Sequence, residues 1–203
     1  MAQKKNAKGS LEVICGSMFS GKTDELIRQI TRAQFAQLNT LIFKHTLDDR
    51  KTIDYIHAHN GKKLKAIAID NPLNITDFIF EEVDVVGIDE VQFFDQDIIS
   101  IILDLVEMGK RVIVAGLDLD FRGNPFGSMP AILSIADSIT KLSAVCILCG
   151  KDAHYSQRLV NGKPASYNDP LVMTGAEEHY QARCRDCYEI DKKTRFKIST
   201  LIL

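Results

Sequence analysis

The chain has 203 residues, 45% of them hydrophobic and 26% charged, a composition that suits one globular domain with room for an appendage. No apolar run reaches the roughly 18 residues of a bilayer span, and the opening MAQKKNAKGS lacks the apolar stretch of a secretory signal, so a cytoplasmic protein without membrane contact is expected. The net charge of −2 hides basic ends (Lys4, Lys5 and Lys8; Lys192, Lys193, Arg195 and Lys197 against Asp191) around a body near −8, the wrong sign for a nucleic-acid-binding face.

Residues 11–15 (LEVIC) read as a short buried strand that runs into Gly16. From Lys22 onward Leu26, Ile27, Ile30 and Ala33 recur at three- and four-residue spacing, which predicts a helix. Residues 40–44 form a second predicted strand, and the polar stretch over 45–63 is long enough to mark a functional or mobile connection. Residues 64–69 alternate as a strand, Asn71-Pro72 breaks it, and 75–80 suggest a short helix. The nearly all-apolar run 83–88 reads as a strand covered on both faces. A helix over 98–108 stopped by Gly109, a strand over 112–115, a Gly-, Asp- and Phe-rich loop over 116–128, a helix over 131–138 and a strand over 140–145 follow. Strands alternating with helices predict a parallel α/β sheet flanked by helices. After Cys146 the texture changes, and Asn161-Gly162 is a two-residue hairpin signal inside a β-rich segment. The expected organisation is a mobile basic tail over 1–10, an α/β domain over 11–145, a small β-rich module over 146–190 and a basic tail over 191–203.

GSMFSGKT (16–23) matches G-x-x-x-x-G-K-[ST] between a predicted strand and a predicted helix, the context that a phosphate-binding loop needs. Gly16 and Gly21 let the chain wrap closely, so that N–H groups across Ser17, Met18, Phe19 and Ser20 face phosphate oxygens, and the helix N-terminus adds partial positive charge. Lys22 would reach the β- and γ-phosphates and the Thr23 hydroxyl would bind Mg²⁺. VVGIDE (85–90) supplies the acidic partner: Asp89 at the strand tip on the magnesium side, and Glu90 beside it, placed to take a proton from an attacking oxygen. That oxygen could belong to water, as in an ATPase, or to a substrate hydroxyl, as in a kinase. No Asn-Lys-x-Asp for guanine and no LSGGQ-like segment occurs, which counts against regulatory GTPases and transporter ATPases.

Four of the five cysteines form two C-x-x-C pairs, Cys146/Cys149 and Cys184/Cys187, separated by 34 residues. Two such knuckles close a tetrahedral thiolate site, and structural zinc is the reading preferred over redox or iron–sulfur chemistry. Four thiolates leave no open position for catalysis. His154 and His179 are read as bystanders, and Cys15 as a buried strand residue.

These segments occur together in one family. GSMFSGKT, GIDEVQFF (87–94), LDLDFRGNPFG (117–127), QRLVNGKPA (157–165) and the cysteine pairs make the chain resemble the type II thymidine kinases from about Leu11 to Tyr188. The resemblance implies a RecA-like P-loop fold with a small zinc-binding domain carrying a lasso loop. It implies ATP as phosphate donor with Mg²⁺, thymidine as acceptor and Glu90 as general base on the 5′-hydroxyl. It places Asp89 and Gln92 beside the phosphates, and Asp48, Asp49 and Arg50 against the nucleotide. Phe121 and Phe126 resemble aromatics around the base, and Arg122 a support for the phosphates. Leu171, Val172, Met173, Thr174 and Gly175 match the lasso that reads the base with backbone groups, and Tyr180 the tyrosine near the sugar. A homotetramer and feedback inhibition by thymidine triphosphate are implied as well. Two positions depart from the pattern: Ser17 stands where the family usually has proline, and Ser156 where many relatives have threonine near the thymine methyl, which predicts better tolerance of deoxyuridine. Phe93 and Phe94 are expected to pack rather than bind.

Two other readings compete. A nucleoside monophosphate kinase with a zinc-bearing lid would carry its cysteines between core strands rather than after them. A P-loop ATPase with a zinc interaction module acting on DNA conflicts with the acidic body.

Overall fold

The computed structural model describes residues 8–47, 55–57, 61, 63–171 and 178–190. Asp48, Asp49, Arg50, the stretch from Val172 to Gly175 and both basic ends beyond these limits lie outside the described residues. Among the described residues no helix is long and apolar enough to cross a membrane.

The chain up to Leu142 builds the main sheet and its helices. Strand β1 (Ser10–Gly16) leads into helix α1 (Lys22–Phe35) and strand β2 (Thr40–His45). A small antiparallel ribbon of β3 (Tyr55–His57) and β4 (Lys63–Lys65) precedes β5 (Ile67–Ile69). A 3-10 turn (Pro72–Phe78) starts at Asn71, whose side chain accepts the Leu73 N–H at 2.9 Å. Strand β6 (Val85–Asp89), α2 (Asp97–Glu107), β7 (Arg111–Gly116), α3 (Met129–Ile135) and β8 (Ser138–Leu142) complete it.

Six strands pair in the order β5-β2-β6-β7-β1-β8, every pairing parallel. Alternation along β1 explains the layers. Ile14 joins Leu26, Ile27, Ile30 and Ala33 of α1 on one face, while Val13 and Cys15 join Ile98, Ile102 and Met129 from α2 and α3 on the other. Each buried Val, Leu, Ile or Met among them is worth about 2 kcal/mol by its removal from water. The expected strand over 64–69 is two strands meeting at buried Ala66, because β4 pairs with β3 while β5 pairs with β2. The expected strand over 140–145 likewise divides into β8 and β9 (Ala144–Val145), since β8 belongs to the main sheet and β9 does not.

From β9 onward the chain forms a second set of small sheets. Strand β10 (Asp152–Ala153) pairs with β9, and β11 (Tyr155–Val160) lies between β12 (Lys163–Pro164) and β13 (Glu178–Arg183). Asn161 and Gly162 both adopt left-handed backbone (φ 50 and 75), the geometry of the tight hairpin their dipeptide predicts. Tyr188 joins this part to the loop that follows β7 by donating its hydroxyl to the Phe121 carbonyl at 2.6 Å, and within the small sheets it stacks on Tyr155 at 4.5 Å.

Candidate active site

The site sits at the carboxyl ends of β1, β7 and β6, where open parallel sheets bind ligands. The chain leaves β1 at Gly16, whose φ of 146 suits glycine, and a β-carbon there would collide with the Leu142 carbonyl at the end of β8. The loop closes around the buried ammonium of Lys22: its Nζ donates to the Ser17 carbonyl at 2.8 Å, and Ser20 Oγ donates to the same oxygen at 2.8 Å. Phe19, half exposed, and Gly21 both adopt positive φ. Helix α1 starts with no side-chain cap, so its first-turn N–H groups open onto the loop, the arrangement that receives phosphate oxygens.

Thr23 Oγ1 donates to Asp89 Oδ2 at 3.1 Å, joining the start of α1 to the end of β6. The other oxygen of buried Asp89 accepts the Glu90 N–H at 3.0 Å. Two hard oxygen donors at this point suit a magnesium ion held beside phosphates. Glu90 then turns the chain out of the strand in a left-handed conformation (φ 52, ψ 40). Gln92 fixes its carboxylate. The Gln92 amide nitrogen donates to Glu90 Oε2 at 2.6 Å, while its oxygen accepts the Leu117 N–H at 3.0 Å, so the amide is held in one orientation. Gly127 (φ 49) permits this packing, because a side chain there would strike the Gln92 carbonyl.

The 117–127 loop forms the neighbouring wall. Phe121 and Phe126 are buried, and Phe93 meets Phe126 edge-on at 5.6 Å. Phe94 is buried against His45 at 4.8 Å, and burial lowers the His45 pKa while Asp70 and Asp95 oppose the shift. Two guanidinium groups lie over Phe121, Arg158 at 4.5 Å and Arg122 at 4.9 Å. Arg122 donates to the Tyr167 and Asp169 carbonyls at 2.8 and 2.6 Å, holding the turn after β12. Arg158, completely buried, donates to the Pro170 carbonyl at 2.7 Å, just before half-exposed Leu171. Tyr180 pairs with Arg158 between β13 and β11. Ser156 is buried, and its hydroxyl accepts the Met18 N–H at 2.9 Å, so it faces the phosphate loop.

Sequence reasoning missed one pair. Asp118, buried just after β7, receives Lys141 Nζ from β8 at 2.7 Å. Lys141 pairs in register with Cys15, so this ion pair spans β1 directly below the phosphate loop. Burial, with Asp118 adding to it, pushes the Cys15 thiol up to about 11 against the pull of Lys141 and Lys22. An acid two residues past a buried strand end was the available signal.

The four cysteines converge. Their sulfurs lie within 4.8 Å of one another, with Cys149 and Cys184 at 3.5 Å. Zn–S bonds of about 2.3 Å place tetrahedral sulfurs roughly 3.8 Å apart, so the group fits zinc. Each pair forms a knuckle: the Gly150 N–H bonds to the Cys146 carbonyl at 2.9 Å, and the Tyr188 N–H to the Cys184 carbonyl at 3.0 Å. Exposed His154 is not among the clustered ligands.

A parallel sheet with this loop, helix start and strand-tip acid defines a P-loop nucleotide-binding protein. The thymidine kinase family model matches residues 9–188, and the chain belongs to that family. It is therefore a nucleoside kinase, with thymidine and ATP the substrates that family membership implies.

Proposed function

We propose that this protein transfers the γ-phosphate of ATP to the 5′-hydroxyl of thymidine, and to deoxyuridine, giving 5′-monophosphates for nucleotide salvage. The observation that carries the reading is the Glu90 carboxylate, oriented by Gln92 next to the Thr23–Asp89 contact. A carboxylate held there suits abstraction of the hydroxyl proton as that oxygen attacks phosphorus in line. Lys22, the loop N–H groups other than that of Met18, which Ser156 accepts instead of a phosphate, and the start of α1 bind and orient the triphosphate. Thr23 and Asp89 would hold magnesium, which supplies charge neutralisation on the phosphates when bound. Phe121, Phe126 and Tyr180 form the acceptor side, with the 171–175 segment over the base and Asp48, Asp49 and Arg50 on the nucleotide.

The four cysteines would hold zinc in a structural role, fixing the ends of the segment between Cys149 and Cys184. A homotetramer and inhibition by thymidine triphosphate complete the proposal, in the cytoplasm and without nucleic acid or membrane as partner. ATP consumption measured with thymidine, deoxyuridine or single-stranded DNA, with mass-spectrometric identification of product, tests it. Thymidine monophosphate is expected; stimulation by DNA alone would overturn the proposal in favour of the ATPase.

A further inference from the structure

Two consecutive residues of the phosphate loop are bonded to the cysteine-bearing sheets. Ser17 Oγ donates to the Ala153 carbonyl at 3.1 Å, and the Met18 N–H donates to Ser156 Oγ at 2.9 Å. Ser17 is 2% exposed and Ser156 3%, so the Ser17–Ala153 bond is shielded from water and the Met18–Ser156 bond partly so. Ala153 lies against the first knuckle. It pairs with Ala144, two residues before Cys146, and the Cys146 N–H bonds to the Lys151 carbonyl at 2.8 Å. Ala153 also shares one apolar cluster with Cys146 and Cys184. On its other side, Ser17 offers its carbonyl to Lys22 Nζ and to Ser20 Oγ. One residue thus holds the phosphate-binding lysine by its carbonyl and the knuckle's strand by its hydroxyl. A proline at this position has no hydroxyl and could not make the second bond.

We propose that Ser17 is a positioning residue that links the two sites energetically, so that metal at the cysteines and triphosphate at the loop each tighten binding of the other. The inference rests on the reading of residues 16–23 as the ATP site. A filled thiolate site fixes β9 and β10, which fixes the Ala153 carbonyl and, through Ser17, the shape of the loop. With the knuckles loosened, the triphosphate must order the loop itself and binds more weakly. Linkage makes the effect reciprocal, and one buried and one partly buried hydrogen bond suit a factor of roughly ten.

The test is a thermodynamic cycle on the full chain. The Kd for a non-hydrolysable ATP analogue is measured with and without zinc, and zinc affinity by chelator competition with and without the analogue, in wild type, Ser17→Ala and Ser156→Ala. The expected result is a coupling factor near tenfold in wild type, reduced at least threefold in Ser17→Ala and partly in Ser156→Ala, with circular dichroism unchanged. An equal factor in wild type and Ser17→Ala, which is also what global unfolding of the zinc-free chain would give, overturns the linkage, as does a factor of one in wild type. Failure of the zinc-loaded wild type to bind the analogue at all is a different result, and it refutes the assignment of the ATP site.

Discussion

Replacing Glu90 by glutamine removes the proposed proton acceptor while keeping the side chain's shape. The structure sets the cost in stability. Gln92 is held by the Leu117 N–H, so its amide nitrogen faces position 90 whatever stands there. A glutamine oxygen still accepts that bond, and the loss is only the charge assistance, about 1 kcal/mol. The cost in rate is larger. General-base catalysis contributes about 10²–10⁴-fold, equivalent to roughly 3–5 kcal/mol of barrier at 1.36 kcal/mol per decade. The expected Glu90→Gln enzyme therefore melts within a few degrees of wild type, binds ATP with an unchanged Kd and loses at least a hundredfold in kcat with thymidine. Calorimetric titration and a coupled ADP assay measure the two quantities separately. A kcat within tenfold of wild type would refute the base assignment; a large rise in Kd with kcat preserved would move Glu90 from chemistry to nucleotide binding.

Three further outcomes are expected. Lys141→Met leaves the buried Asp118 carboxylate without its cation; with the Lys141 side chain 55% exposed, screening reduces the cost to about 1–2 kcal/mol. Thermal melts should show Asp118→Asn/Lys141→Met less destabilised than Lys141→Met alone, and a double variant worse than the single one contradicts the pairing. Ser156→Thr adds a methyl worth about 1 kcal/mol of apolar contact, so the thymidine-to-deoxyuridine ratio of kcat/KM should rise about fivefold, and an unchanged ratio removes position 156 from methyl discrimination. With its thiol pushed up to about 11, Cys15 is thiolate in only about one part in 10⁴ at pH 7 and should resist maleimide in the folded protein. Peptide mapping checks this, and labelling of Cys15 as fast as that of a free thiol argues against its burial.

What the sequence makes legible follows sequence distance. The strand–loop–helix from Ser10 to Phe35 is readable because glycine spacing and the 3.6-residue periodicity of Leu26, Ile27 and Ile30 are local signals. The Asn161-Gly162 turn is readable for the same reason. The division of 64–69 into two strands is not, since both halves alternate alike and only their partners, β3 and β2, tell them apart. Arg122 points to phosphates when read beside glycines, and its engagement with the Tyr167 and Asp169 carbonyls depends on a turn more than forty residues away. The Ser17–Ala153 bond, across 136 positions, leaves no trace in either segment alone.

The uncapped start of α1 has a consequence for the protein's lifetime in a cell. A helix end without a side-chain cap is a local weak point, and at the proposed ATP site the triphosphate would serve as the cap. A ligand at a hundred times its Kd adds about 2.7 kcal/mol to the folded state, a shift large enough to change the fraction of chain open to proteases several-fold. Nucleotide supply would then set the amount of this enzyme as well as its rate.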